Sequence, residues 1–274
     1  MKDLAGRTAI ITGASAGIGK CVAEALAAEK MNVVLVARSA DKIRSVARTL
    51  SATGVRVLEN PADVVEIPAM QRMVERTIEE FGSIDVLVNN AGIDAFREYH
   101  SLDISEITSV IDVNLTASLI LTRMVLPHML RAQEGHIVNM SSTAGKHGPA
   151  FGAAYGASKA GLIAFTESLR GEYHGSGISA SVVCPGFTHS GGIYDRILEE
   201  TGRETPAVMG SATGKAVANA VVRAILADKP EVIVNRPPLR PMFVLAEMFP
   251  AVAEWCIRKT TSRFFKRVAQ AKRQ

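Results

Sequence analysis

Tyr155 and Lys159, in the stretch Tyr-Gly-Ala-Ser-Lys, have the types and spacing for proton chemistry in this 274-residue sequence. On a helix, positions i and i+4 share a face with their Cβ atoms about 5–6 Å apart, so a phenol and an ammonium would aim at one spot. A phenol with an ordinary pKa of about 10 exchanges protons poorly near neutrality. A fixed cation beside it favours the phenolate and draws that pKa toward the working range. The pair therefore fits general acid–base work, and it equally fits an ordinary tyrosine and lysine on an exposed helix, so the rest of the chain has to decide.

A second constellation is Gly13-Ala-Ser15-Ala-Gly17-Ile18-Gly19, preceded by an apolar run at 7–12 and followed by an alanine- and leucine-rich stretch at 21–30. Strand, glycine turn and helix in that order suit a dinucleotide: glycines let the backbone turn tightly and approach a pyrophosphate, which the free N–H groups of a helix N-terminus attract. About twenty positions on, where an NAD site usually carries an acid for the ribose hydroxyls, the chain has Ala37 followed by Arg38. A missing acid and an adjacent cation favour a 2′-phosphate, hence NADP(H) over NAD(H).

These residues need a scaffold, and the hydrophobic pattern supplies one. Strands are expected at 32–36, 55–58, 84–88, 136–140, 178–184 and 231–234, with helices at 41–52, 68–81, 105–114, 115–131, 155–173 and 211–227. The alternation predicts an α/β fold: a Rossmann-type, doubly wound parallel sheet of about seven strands with helices on both faces and ligands at the carboxyl ends of the strands. Small polar clusters fall at those ends: Asn89-Asn90-Ala91-Gly92, Ser141-Ser142 and Pro185-Gly186. Asn114 interrupts two helical stretches and is a poor interior helix residue unless its amide is used.

With 47% hydrophobic and 21% charged residues, the chain reads as globular and long enough to bury a core without metals or disulfides. Cys21, Cys184 and Cys256 follow no metal-binding spacing, so a reducing compartment and no metal are expected. No apolar signal core precedes the first strand, which points to cytoplasmic synthesis. The net charge of +4 is uneven: residues 256–274 hold seven Lys or Arg and no acid, leaving −3 for the remainder. A single catalytic domain is expected over 1–235, with a basic extension at 236–274. Residues 187–210 look like a glycine-hinged lid over an apolar pocket, and the prolines from Pro237 to Pro241 like an elbow that stops any helix. Beyond it, 243–257 is too interrupted to cross a bilayer. Phe264 and Phe265 among cations suit peripheral membrane contact, packing on the body or on another subunit, or a solvated end. Nucleic acid binding is not expected, because no recognition fold accompanies the basic tail.

With these residues in place, the chain over 5–235 resembles the short-chain dehydrogenase/reductase family. Residues 12–19 look like its cofactor loop, Asp63-Val64 like its adenine contact, Asn89 to Gly92 like its sheet-supporting motif, and Asn114, Ser142, Tyr155 and Lys159 like its catalytic four. The resemblance implies hydride transfer between NADP(H) and a carbonyl carbon. Tyr155 would pass the hydroxyl proton, Ser142 would hold the substrate oxygen, Lys159 would lower the tyrosine pKa and bind the nicotinamide ribose, and Asn114 would anchor a relay water. Backbone at Ile18 and Thr188 would hold the pyrophosphate and the carboxamide. Two departures stand out: Ala16 replaces the basic residue that many NADP-preferring members carry in the loop, and Ser190 stands where Thr is common. The expected substrate is hydrophobic, steroid-like, retinoid-like or long-chain. Alternatives are a 3-oxoacyl thioester on a carrier protein and, from another class, a non-catalytic redox sensor. A homo-dimer or homo-tetramer is implied by the resemblance alone.

Overall fold

The computed structural model describes residues 1, 3–202, 205 and 209–271, residue 260 by its backbone only. A parallel sheet of seven strands runs through it. In chain order the first six are β1 (Thr8–Thr12), β2 (Asn32–Ala37), β3 (Val57–Pro61), β4 (Val86–Asn89), β5 (Gly135–Met140) and β6 (Ile178–Pro185). A short pair, β7 (Thr188–His189) and β8 (Ala212–Thr213), lies apart from the sheet, which β9 (Glu231–Val234) completes in the spatial order 3-2-1-4-5-6-9. The order reverses between β1 and β4, the switch point where doubly wound sheets open a ligand crevice.

Strand periodicity explains why both faces are covered. Ala9, Ile11, Val33, Leu35, Val86 and Val88 point into one core, against Val22 and Leu26 of α1 (Gly17–Ala28), Ile43 of α2 (Ala40–Ser51) and Val217 and Val221 of a later helix. The intervening Ile10, Val34, Val36 and Leu87 point into the other, against Met70, Met73 and Val74 of α3 (Ile67–Phe81). Alternation of this kind in buried strands leaves no solvent face, as a parallel sheet sandwiched by helices requires.

The expected pair of helices at 105–131 is one continuous run. It comprises α4 (Ile104–Ile111), a π-helical turn (Asp112–Thr116) and α5 (Ala117–Ala132). By length and composition this run could cross a membrane, yet Val110, Leu121, Val125 and Met129 are buried in the protein, as in a core helix. Next come α6 (Thr143–Lys146), α7 (Ala153–Glu172), α8 (Ile193–Thr201) and α9 (Gly214–Leu226). Thr213 caps α9, its hydroxyl accepting from Ala216 N at 3.2 Å, so that helix starts three residues later than its pattern suggests.

The extension differs from expectation at Pro241, and for its aromatics the packing alternative holds. Pro241 sits in the first turn of α10 (Arg240–Met248), where an N–H would be unused anyway, so it starts a helix rather than stopping one. Phe264 and Phe265 are buried, together with Val268, on α11 (Pro250–Ala271), packed with Phe96 and Ile197 of the body. They do not face a membrane. Lys272 and Arg273, counted above in the basic tail, lie outside the described residues.

Candidate active site

The first turn of α7 carries Tyr155, half-buried, and Lys159 follows one turn later, buried. Lys159 Nζ lies 5.8 Å from the Tyr155 ring centroid and donates to Met140 O at 2.9 Å, which ties the ammonium to the carboxyl end of β5. Ser142 follows β5 and shares a hydrogen bond with the Tyr155 hydroxyl. Its Oγ also accepts from Ala144 N at 3.1 Å, capping α6. Strand end, cap and helix start thus bring a hydroxyl, a phenol and an ammonium together.

Asn114 lies in the π turn, fully buried. Its Oδ1 accepts from Ile93 N at 2.8 Å, and its Nδ2 donates to Ile93 O at 2.9 Å and to Ser158 Oγ at 3.0 Å. Ser158 Oγ in turn donates to Tyr155 O at 2.7 Å. The amide is fully used in holding the loop after β4 to the start of α7. Sequence reasoning found the residue but not the π turn that aims it, because a single extra residue in a helix leaves no composition signal.

Electrostatics depart from the expected fall in the tyrosine pKa. Burial pushes the Tyr155 phenol up to about 12; its hydrogen bond with Ser142 opposes this and the charge of Asp94 adds to it. Burial likewise lowers Lys159 to about 8. Desolvation is the leading cause of both shifts, and with them the phenol keeps its proton near neutrality while the lysine is mostly a cation.

Around the triad opens a cavity of about 1060 Å³ at the sheet's switch point. Every residue assigned above to the cofactor lies in its wall: Gly13, Ser15, Gly17, Ile18 and Gly19 at the loop; Arg38, Asp63 and Val64 beyond β2 and β3; Asn90, Ala91 and Gly92 after β4; and Pro185, Gly186 and Thr188 after β6. Asn114 stands outside it, behind Gly92, whose added Cβ would lie 3.3 Å from Asn114 Oδ1. The loop fits a dinucleotide on its own geometry. Gly13 and Gly17 have φ of +67° and +59°, and a Cβ on Gly19 would come 2.2 Å from Gly13 O, so only glycine lets α1 begin so close to the strand end. Ala16 precedes α1 with no side-chain cap, leaving first-turn N–H groups for an anion. Asn90 Nδ2 donates to Thr12 O at 2.8 Å, locking the loop to β4.

Arg38 is largely exposed, 3.9 Å from Asp63. Lys42, in the first turn of α2, lines the same end of the cavity; it was missed because a lysine opening a helix resembles a solvated surface residue. Also missed were Phe96 and Phe265, which stack with ring centroids 5.5 Å apart, Phe96 in turn standing 5.6 Å from Tyr155. No motif marks either; only the fold brings them together. Of the expected lid, α8 is ordered at its start by Asp195, whose Oδ2 accepts from the N–H groups of Ser190, Gly191 and Gly192 at 2.8, 2.6 and 3.2 Å. Phe187, Ile193 and Ile197 present apolar side chains to the cavity. Residues 203, 204 and 206–208 of that segment lie outside the described residues.

Comparison with known proteins agrees with this geometry. Residues 7–198 match the family model described as short chain dehydrogenase. The chain is 41% identical to the ketoacyl reductase HetN of Nostoc sp., over 87% of this chain and 82% of the relative. It is 30% identical to a dehydrogenase/reductase SDR family protein 7-like of Drosophila melanogaster, over 94% and 81%. A crystal structure of a metagenomic short-chain oxidoreductase in complex with NADP superposes with a TM-score of 0.71 at 34% identity, covering 84% of this chain and 97% of the other.

Proposed function

The chain belongs to the short-chain dehydrogenase/reductase family and is an oxidoreductase using a nicotinamide dinucleotide; from that premise we propose that it reduces the carbonyl of a hydrophobic, long-chain substrate with NADPH. The observation that carries the reading is Tyr155 facing a cavity of about 1060 Å³ walled by Phe96, Phe187, Ile197 and Phe265.

The dinucleotide supplies the hydride when bound. Tyr155 donates its proton to the carbonyl oxygen as negative charge develops there. Ser142 donates a hydrogen bond to the same oxygen, its hydroxyl held in place by Ala144 N. Lys159 stabilises the phenolate left behind, its ammonium anchored by Met140 O. Asn114 positions the first turn of α7 through Ser158. Gly13 to Gly19 would hold the pyrophosphate, Asp63 and Val64 the adenine, and Arg38 with Lys42 a 2′-phosphate, which is the reason for preferring NADP(H).

A second reading, reduction of a 3-oxoacyl thioester on a carrier protein, is favoured by the names of relatives such as the 3-oxoacyl-[acyl-carrier-protein] reductase FabG of Escherichia coli, 36% identical over 66% of this chain. Steady-state assays of long-chain ketones, water-soluble ketones and 3-oxoacyl thioesters separate the two readings, and the enzymatic one is tested with Tyr155→Phe. Removing the general acid is expected to lower turnover roughly 10²–10⁴-fold while NADPH binding, followed by fluorescence, persists. Unchanged turnover would sink the mechanism, and no turnover by the parent on any of these substrates would leave the redox-sensor alternative.

A further inference from the structure

The corner formed by α10 and α11 carries an apolar surface that nothing among the described residues covers. Met242, Val244, Leu245, Met248, Phe249, Val252 and Trp255 are between 42% and 64% exposed, half of the large hydrophobic side chains exposed among the described residues. Leu245 and Met248 are three positions apart on α10, and Val252 and Trp255 three apart on α11, so each pair shares a face of its own helix. A surface of this kind on a folded chain marks a contact site rather than scatter.

Its charge complement chooses the partner. Arg240 lies at one end, and Arg258, Lys259, Arg263, Lys266 and Arg267 follow at the other, all exposed, against Glu247 and Glu254 within the stretch. Lys259 Nζ sits 4.2 Å above the Trp255 ring, joining an indole to a cation at the edge of the apolar stripe. Apolar side chains ringed by cations with an aromatic at the boundary match an anionic lipid surface: the stripe enters the acyl boundary and each cation near the headgroups adds about 1 kcal/mol. A second copy of this chain would bring the same cations into opposition.

We propose that the α10–α11 corner docks the protein on anionic membranes, with Leu245, Met248, Val252 and Trp255 inserted and the following cations against the headgroups. This is a different face from Phe264 and Phe265, which point into the body. Met242 is both 42% exposed and part of the cavity wall, so docking sets the rim of the pocket against the lipid. The docking stands independently of the substrate reading, because it is measured without turnover.

Trp255 is the single tryptophan and reports on the contact directly. The full chain is mixed with vesicles of phosphatidylcholine alone, or with phosphatidylglycerol added, and the indole emission is followed together with quenching by bromine-labelled acyl chains. Anionic vesicles are expected to shift the emission to shorter wavelength and permit quenching, neutral vesicles far less, and added salt should weaken the effect by screening. Leu245→Glu with Val252→Glu keeps the reporter, touches no cavity residue, and should lower vesicle affinity by at least about tenfold, since burial of each side chain is worth about 1.5–3 kcal/mol. Its reduction of a water-soluble ketone and its melting temperature should match those of the parent, which certifies the fold. Absence of any shift for the parent, or equal binding by the variant, overturns the proposal. A smaller species for the variant in sedimentation, with no vesicle binding by the parent, assigns the surface to a second copy and overturns it too, as does selective loss of activity on carrier-bound acyl substrates by the variant when the parent ignores vesicles.

Discussion

Lys159 is expected to set the pH range of the proposed reduction. Its ordinary value of 10.5 is lowered by burial to about 8, whereas Tyr155 is pushed up to about 12. Reduction needs the phenol protonated and the ammonium charged, and both hold below about 8. Above it the cation is lost first, so kcat/KM for reduction should be flat on the acid side and fall as pH rises through about 8, in a profile measured with saturating NADPH. A profile flat through pH 8 would show that the ammonium is not required. Arg38 makes the complementary residue-scale case. It is largely free of protein partners apart from Asp63 at 3.9 Å, and Arg38→Asp places a carboxylate where a 2′-phosphate would lie. The variant's ratio of kcat/KM for NADPH over NADH is expected to drop by at least about tenfold, for a repulsion and a lost ion pair together worth more than about 1.4 kcal/mol.

Elements, rather than residues, decide what the pocket admits. α11 places Phe265 against Phe96, and Phe96 against Tyr155, so an aromatic ladder runs from the extension to the proton donor. Phe265→Ala removes its outer rung and opens a void beside the substrate. kcat/KM for a long-chain ketone should fall roughly 10-fold or more, as expected for about 1.5–3 kcal/mol of lost apolar contact, while a small water-soluble ketone should be little affected. Equal losses on both substrates would instead indicate a disturbed fold. α7 and β5 act differently: they fix the spacing between Ser142, Tyr155 and Lys159 that any substrate meets.

At the scale of the molecule, the sheet and the cofactor loop were readable because each rests on local chemistry. Alternating apolar residues forced the strands, and glycines at 13, 17 and 19 occupy positions that a Cβ would block. The motifs at Asn90, Ser142 and Pro185 fell at strand ends for the same reason. What escaped the sequence was set by distant parts of the chain meeting. Phe96 and Phe265 are far apart in sequence, and nothing local says that they stack. The fate of the tail's aromatics stayed open among membrane, packing and solvent because their burial depends on a partner surface made by α8 and the loop after β4. The direction of the Tyr155 shift was misjudged for a related reason: spacing reveals the neighbouring lysine, while the desolvation that raises the phenol belongs to the whole fold.

The cavity wall divides along the chain. Most of the residues assigned to the coenzyme come by Gly92, with Pro185, Gly186 and Thr188 added after β6, while much of the apolar wall comes later, from Phe187 through Ile197 to Phe265. Substitutions confined to Phe187, Ile197 and Phe265 are therefore expected to change which substrate fits while leaving the residues assigned to the coenzyme in place.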